Sequence, residues 1–286
     1  MKRYVLSLYI IFSFVITALG QNCNPPTISG VTTICNGSST LLSASVPNGV
    51  APISYQWSSS TSLNTTTGAV VTANPTTSTI YTVTATDGNG CTSANSVTVT
   101  VKTPRIQLNP MVDQTICNGS STTISAIPSS STGLLSYAWT PSTGLSATNT
   151  SSVNASPTST TTYTVIVTAT EGSCTATASE NLTVTVNSPS VRLNSIPNQT
   201  ICNGSSANLS VTTESSNGTL SYSWSPSTDL SGTTTASVVA SPTTTTTYTV
   251  SVTAAEGSCT ATASKSVIVT VKSPSVSLNN MVDQTI

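Results

Sequence analysis

The sequence has 286 residues, of which seven are Lys or Arg, eight are Asp or Glu and none is His. Charged residues make up 5 % of the chain, against about 25 % in ordinary soluble domains. That balance leaves no basic footprint for nucleic acid or an anionic membrane, and the lack of His removes a Ser-His-Asp triad and any His-bearing zinc site.

Lys2 and Arg3 form a short positive head, Tyr4 to Ala18 is almost unbroken apolar sequence, and Ala18-Leu19-Gly20 offers small residues for cleavage. This predicts a secretory signal peptide over 1–20, too short and wrongly flanked to span a membrane. Asn22, where a lipoprotein would carry a small residue before Cys23, argues against lipidation. The mature chain then starts at Gln21 with five basic and eight acidic residues, and is expected to be secreted, extracellular or at the cell surface. Its solubility must rest on Ser, Thr and Asn. Regular apolar alternation, rich in β-branched and aromatic residues, argues against disorder.

Internal repetition is the strongest signal. Ile34-Cys35-Asn36-Gly37-Ser38-Ser39 recurs from Ile116 and again from Ile201. A Trp follows each cysteine by 22 residues, at Trp57, Trp139 and Trp224. A Tyr-Thr-Val segment opens at Tyr81, Tyr163 and Tyr248, and a second cysteine follows at Cys91, Cys174 and Cys259. The expected domains are repeat 1 over 21–102, repeat 2 over 103–187 and repeat 3 over 188–272, with 273–286 the start of a truncated fourth. Met281 to Ile286 copies Met111 to Ile116 and stops one residue short of the position of Cys117, so the sequence is expected to be a fragment.

Each repeat reads as short strands separated by turns. Tyr163, Val165, Val167 and Ala169 share one face, opposite a face mostly of Thr. Leu135, Tyr137 and Trp139 alternate with Ser136 and Ala138, as do Ile53, Tyr55 and Trp57, and Leu220, Tyr222 and Trp224, with their own intervening residues. All nine aromatics of the mature chain, Tyr55, Trp57, Tyr81, Tyr137, Trp139, Tyr163, Tyr222, Trp224 and Tyr248, fall on expected core faces. Asp87-Gly88-Asn89-Gly90 and Glu171-Gly172-Ser173 read as hairpin turns. Val267 to Val271 reads as an uncharged strand with an exposed edge, guarded by Lys265 and Lys272. About seven strands per repeat with a central Trp predict an all-β fold, immunoglobulin-like sandwiches in tandem, end to end.

Cys117-Asn118-Gly119, Tyr137-Ala138-Trp139-Thr140-Pro141, the run from Ser156-Pro157-Thr158 to Tyr163-Thr164-Val165, and Gly172-Ser173-Cys174-Thr175 carry a resemblance. On them the chain resembles the tandem Ig-like and PKD-like repeats of very large secreted surface proteins of gliding bacteria (Bacteroidota). It departs from PKD domains in having Thr140-Pro141-Ser142 after Trp139 where they carry a Phe-Gly-Asp-Gly type turn. The resemblance implies an adhesin, or a spacer attached to a secreted enzyme.

The seven cysteines, Cys23, Cys35, Cys91, Cys117, Cys174, Cys202 and Cys259, are disulfide candidates in an oxidising compartment. Pairing within each repeat would join 35–91, 117–174 and 202–259 and leave Cys23 over. In a sandwich those pairs sit at opposite poles, about 20 Å apart, beyond the ~7 Å that a disulfide spans. Pairing between repeats would join 35–174, 117–259 and 23–91, leaving Cys202 for a partner after Ile286. Both schemes stay open on sequence alone.

No catalytic constellation is present. The acids are scattered, with Asp87, Glu171 and Glu256 in hairpins, Asp113 in an entry strand, and Asp229 and Glu214 in loops. A calcium site near Asp113 and Glu171 is a minor alternative. The Asn-Gly-Ser triplets at Asn36, Asn118 and Asn203 match glycosylation acceptors but read better as turns. The expectation is therefore a non-enzymatic stalk without cofactor, catalytic or metal residues. Its partners would be neighbouring repeats of the chain, with surface glycans or another cell as candidate outside partners. The alternative is a carbohydrate-binding spacer of a secreted depolymerase.

Overall fold

The computed structural model describes residues 23–274, 276 and 277. The signal peptide expected over 1–20 lies outside the described residues, as does most of the fourth-repeat start expected over 273–286.

The first sandwich contains β1 (Thr27–Ser29), β2 (Thr33–Cys35), β3 (Thr40–Ser45), β4 (Ser54–Trp57), β5 (Val70–Ala73), β6 (Thr79–Thr86) and β7 (Thr92–Lys102). One sheet has the order β1-β3-β5 and the other β2-β7-β6-β4. All pairings are antiparallel except β2 with β7, which is parallel. The two inner faces meet through Ile34, Leu42, Ala44, Trp57, Val71, Ala73, Tyr81, Val83 and Val99. The period-two pattern drives this: on β6, Tyr81, Val83 and Ala85 are buried while Thr82 and Thr84 are half-buried.

The second sandwich contains β8 (Ile106–Leu108), β9 (Gln114–Cys117), β10 (Thr122–Ser125), β11 (Pro128–Ser131), β12 (Leu134–Thr140), β13 (Ser152–Ala155), β14 (Thr161–Glu171) and β15 (Cys174–Asn187). The third contains β16 (Ser190–Leu193), β17 (Gln199–Cys202), β18 (Ala207–Ser210), β19 (Thr213–Asn217), β20 (Thr219–Ser225), β21 (Ser237–Ala240), β22 (Thr246–Glu256) and β23 (Cys259–Lys272). Each keeps a four-stranded sheet, β12-β14-β15-β9 and β17-β23-β22-β20, again with a parallel first pair. Their facing layer is divided. β10 pairs β13 while β11 pairs β8, and β18 pairs β21 while β19 pairs β16. The strand that is continuous as β3 in the first sandwich thus changes partner halfway along. Pro128 opens the second half in one case, and a bulge at Arg192/Leu193 accommodates it in the other.

Among the described residues, those up to Arg105, with 131–134 and 169–176, form one compact unit; 106–130, 135–168 and those from Thr177 on form another. In the second unit, Leu209, Trp224, Val238, Tyr248, Val250, Val252, Val267 and Val269 form the core of the third sandwich.

The sheet order corrects the expectation of an exposed edge at Val267 to Val271. β23 lies between β17 and β22, and both Val267 and Val269 are fully buried. Where β17 begins, the Ile268 amide donates to Asn198 Oδ1 at 2.9 Å. The edges of this sheet are β17 and β20.

Each Trp is 2 % exposed and donates its indole N–H to a backbone carbonyl 11 residues on: Trp57 to Gly68 (3.0 Å), Trp139 to Thr150 (2.9 Å) and Trp224 to Thr235 (2.9 Å). The ring fills the space between the sheets while the bond ties the loop after the strand to the core. Replacing Trp224 with Ala should destabilise the third sandwich by about 3–5 kcal/mol, read as a lower urea midpoint by circular dichroism. A midpoint within error of the parent would refute the anchoring role.

Candidate functional site: the cysteine junctions

The parallel pairing of the short second strand with the last strand decides where the cysteines stand. Cys35 lies opposite Lys102, Cys117 opposite Asn187 and Cys202 opposite Lys272. The base cysteine of each sandwich therefore sits beside the point where the chain leaves it. The following turn has the same form three times. Asn36, Asn118 and Asn203 donate their amides to the carbonyls of Lys102 (3.0 Å), Asn187 (2.9 Å) and Lys272 (3.1 Å). Ser38, Ser120 and Ser205 close the turn onto their cysteine carbonyls at 2.9 Å. Gly37, Gly119 and Gly204 take φ of 84°, 84° and 85°, a conformation open mainly to glycine.

At the other end, the long hairpins β14–β15 and β22–β23 turn through Glu171-Gly172-Ser173-Cys174 and Glu256-Gly257-Ser258-Cys259. In the first unit Cys35 is bonded to Cys174, Cα–Cα 5.4 Å. In the second, Cys117 is bonded to Cys259, also 5.4 Å. Cys23 is bonded to Cys91, beside the hairpin of the first sandwich. Cys202 is a free, exposed thiol.

Polar contacts flank both bridges. Lys102 Nζ donates to Glu171 Oε1 at 2.8 Å, each side chain about one-third exposed, a geometry worth roughly 0–1 kcal/mol. In the second unit Asn187 Nδ2 donates to the Glu256 carbonyl at 3.0 Å. Both hairpin cysteines are 3 % exposed. Sequence reasoning did not join Lys102 to Glu171 or Asn187 to Glu256, since each pair is 69 residues apart. The available signal was the alignment of Lys102, Asn187 and Lys272 at one repeat position.

Two further acids, Asp87 and Asp113, serve the backbone, while Glu214, expected in a loop, lies on β19. Burial tends to raise the Asp87 carboxyl, but the amides of Cys91, Val50 and Asn89 outweigh it and hold the group below its usual value. Asp113 Oδ1 accepts the Thr183 amide at 2.7 Å. Among the described residues, no group of three His, Cys, Asp or Glu could hold a metal ion. Tyr81, Tyr163 and Tyr248 are fully buried, whereas Tyr55, Tyr137 and Tyr222 are half-buried. Of these last, Tyr55 and Tyr222 pack against the cores of the first and third sandwiches.

Residues 24–104 match the family model described as "Ig-like domain CHU_C associated". No curated protein matches the chain by sequence. Among solved structures, a three-Ig fragment of titin with Glu-to-Ala substitutions superposes with a TM-score of 0.54 at 15 % identity, covering 87 % of this chain and 99 % of that one. A second titin I-band fragment gives 0.51 at 14 % identity, covering 88 % and 99 %. The chain is a tandem array of immunoglobulin-like β-sandwiches. At these identities the likeness to titin speaks of fold alone.

Replacing Cys35 and Cys174 together with Ala should lower the stability of the first unit by about 2–4 kcal/mol, seen as a fall in urea midpoint; Glu171→Gln should cost no more than about 1 kcal/mol. A larger loss from Glu171→Gln than from the double replacement would reverse this ranking.

Burial raises the Tyr163 phenol above its ordinary value despite a side-chain hydrogen bond with Thr161, and raises that of Tyr248 with help from the Asp229 charge. The Tyr163 and Tyr248 hydroxyls donate to the carbonyls of Thr143 (2.7 Å) and Thr228 (3.2 Å). The folded state holds these protons more tightly than the unfolded chain. Their contribution is thus complete below the unfolded value and fades as pH climbs above about 10. Melting temperature should drop over that range with Cys202 alkylated, and the drop should be smaller in Tyr248→Phe.

Proposed function

We propose that the chain is a non-catalytic, extracellular stalk region of a secreted or cell-surface protein of the adhesin type, in which the repeats supply length and stiffness. The carrying observation is that the base cysteine of a sandwich bonds to the hairpin of the sandwich that follows, at Cys35–Cys174 and again at Cys117–Cys259. A bridge within a domain would stabilise that domain; bridges that leave it restrain the joints. Three disulfides suit an oxidising compartment, and the apolar leader read over 1–20 suits export. The domain limits 21–102, 103–187 and 188–272 belong to this proposal, as do neighbouring repeats, surface glycans or another cell as partners. No helix among the described residues is long and apolar enough to cross a membrane.

The alternative, a carbohydrate-binding spacer of a secreted depolymerase, asks for exposed aromatic platforms. Trp57, Trp139 and Trp224 are instead 2 % exposed, and their indole N–H groups are already used.

Small-angle scattering of the secreted chain should show an elongated particle whose maximum dimension fluctuates more once the disulfides are reduced. A compact particle, or one indifferent to reduction, would overturn the stalk reading.

A further inference from the structure

We infer that the base of the third sandwich is a docking site for the hairpin tip of another repeat of this kind, one that carries a free cysteine preceded at three residues by an acid. This rests on the reading of the chain as an array of bridged repeats.

The same base appears three times, and two of the copies are occupied. Around Cys35 the base consists of the cysteine, Lys102 across the parallel ladder, and the turn closed by Asn36 and Ser38. It holds a Glu-Gly-Ser-Cys tip through the Cys35–Cys174 bond and the Lys102–Glu171 ion pair. Around Cys117 the base is alike except for Asn187, which grips the Glu256 carbonyl instead of the carboxylate. Around Cys202 the ladder partner is Lys272, and Asn203 and Ser205 make the same backbone bonds. The third base thus has the same backbone form as the other two, and both Cys202 and Lys272 are exposed.

Chemistry specifies the occupant. A lysine at the ladder position, as at Lys102, selects a tip whose acid lies three residues before its cysteine. A second copy of this chain has no such cysteine to offer, because Cys91, Cys174 and Cys259 are all bonded. The occupant is therefore a further repeat with an unbonded tip. The bond forms by exchange with a small-molecule disulfide such as oxidised glutathione. Glutathione first caps Cys202. The tip thiolate then attacks the Cys202 sulfur, the new S–S bond forms, and glutathione leaves as a thiolate that takes up a proton. One oxidised glutathione is consumed and two glutathione thiols are released for each bond made.

The test uses the whole chain with Cys202 carried as its glutathione adduct. The probe is a hairpin peptide with the sequence of residues 168–177, cyclised through its ends. Mass spectrometry after acid quench gives the exchange constant. The hairpin should displace glutathione about tenfold more favourably than a scrambled peptide with the same single cysteine. Either Lys272→Gln in the chain or Glu171→Gln in the peptide should remove about threefold of that preference, and the two together no more than either alone. Equal constants for hairpin and scrambled peptide, or preferential Cys202–Cys202 dimers of the chain, would overturn the site. A compact particle in the scattering experiment would instead remove the stalk reading while leaving capture by this base intact, so the two failures are distinguishable.

Discussion

One short parallel pairing sets the positions of everything else at the junctions. Because β2, β9 and β17 run alongside the last strand of their sandwich in the same direction, the entry strand ends where the chain departs. The base cysteine and the exit residue are thereby held as ladder partners. Antiparallel pairing would have carried the cysteine to the far pole, and no neighbouring hairpin could have reached it. The Asn-Gly-Ser turn that follows is the sharp reversal this arrangement needs, with glycine at the positive φ.

Much of the fold was legible because its physics is local. Strict alternation of Tyr163, Val165, Val167 and Ala169 with Thr and Ile specifies a strand with one buried face, and those four residues are fully buried. The Trp spacing located the core. Other features depend on which strand lies beside which, and sequence is silent there. Val267 to Val271 reads as an edge when its neighbours are unknown, yet it lies inside the sheet. The divided strand at β10–β11 and β18–β19 left little trace, because runs such as Pro128-Ser129-Ser130-Ser131 carry no apolar period. The cysteine schemes could be ranked by pole-to-pole distance but not closed. The contact of Lys102 with Glu171 joins residues too distant in the chain for any pattern within a single repeat to flag.

The two occupied junctions differ in a way that bears on stiffness. Lys102 meets Glu171 through long, partly solvated side chains, whereas Asn187 reaches a main-chain carbonyl through a short amide. Gly257 lies so close to Asn187 that an added Cβ would stand 3.2 Å from its Nδ2. The second contact carries no net charge and is therefore less sensitive to ionic strength, while a disulfide stands beside each.

The outer faces of the sheets hold a further set of pairs. Thr82 faces Ser96 at 2.8 Å, Thr162 faces Thr183 at 3.0 Å and Thr249 faces Ser266 at 2.9 Å, hydroxyl to hydroxyl across neighbouring strands. Ser125 meets Ser152, and Ser210 meets Ser237, both at 2.8 Å. Where most proteins place lysine and glutamate, this chain places alcohols. Such contacts have no ionic atmosphere to be screened and no proton to lose or gain near neutrality. The surface is thus cross-linked in a currency that neither brine nor dilute rainwater devalues, and the sandwiches keep the same outer skin in both.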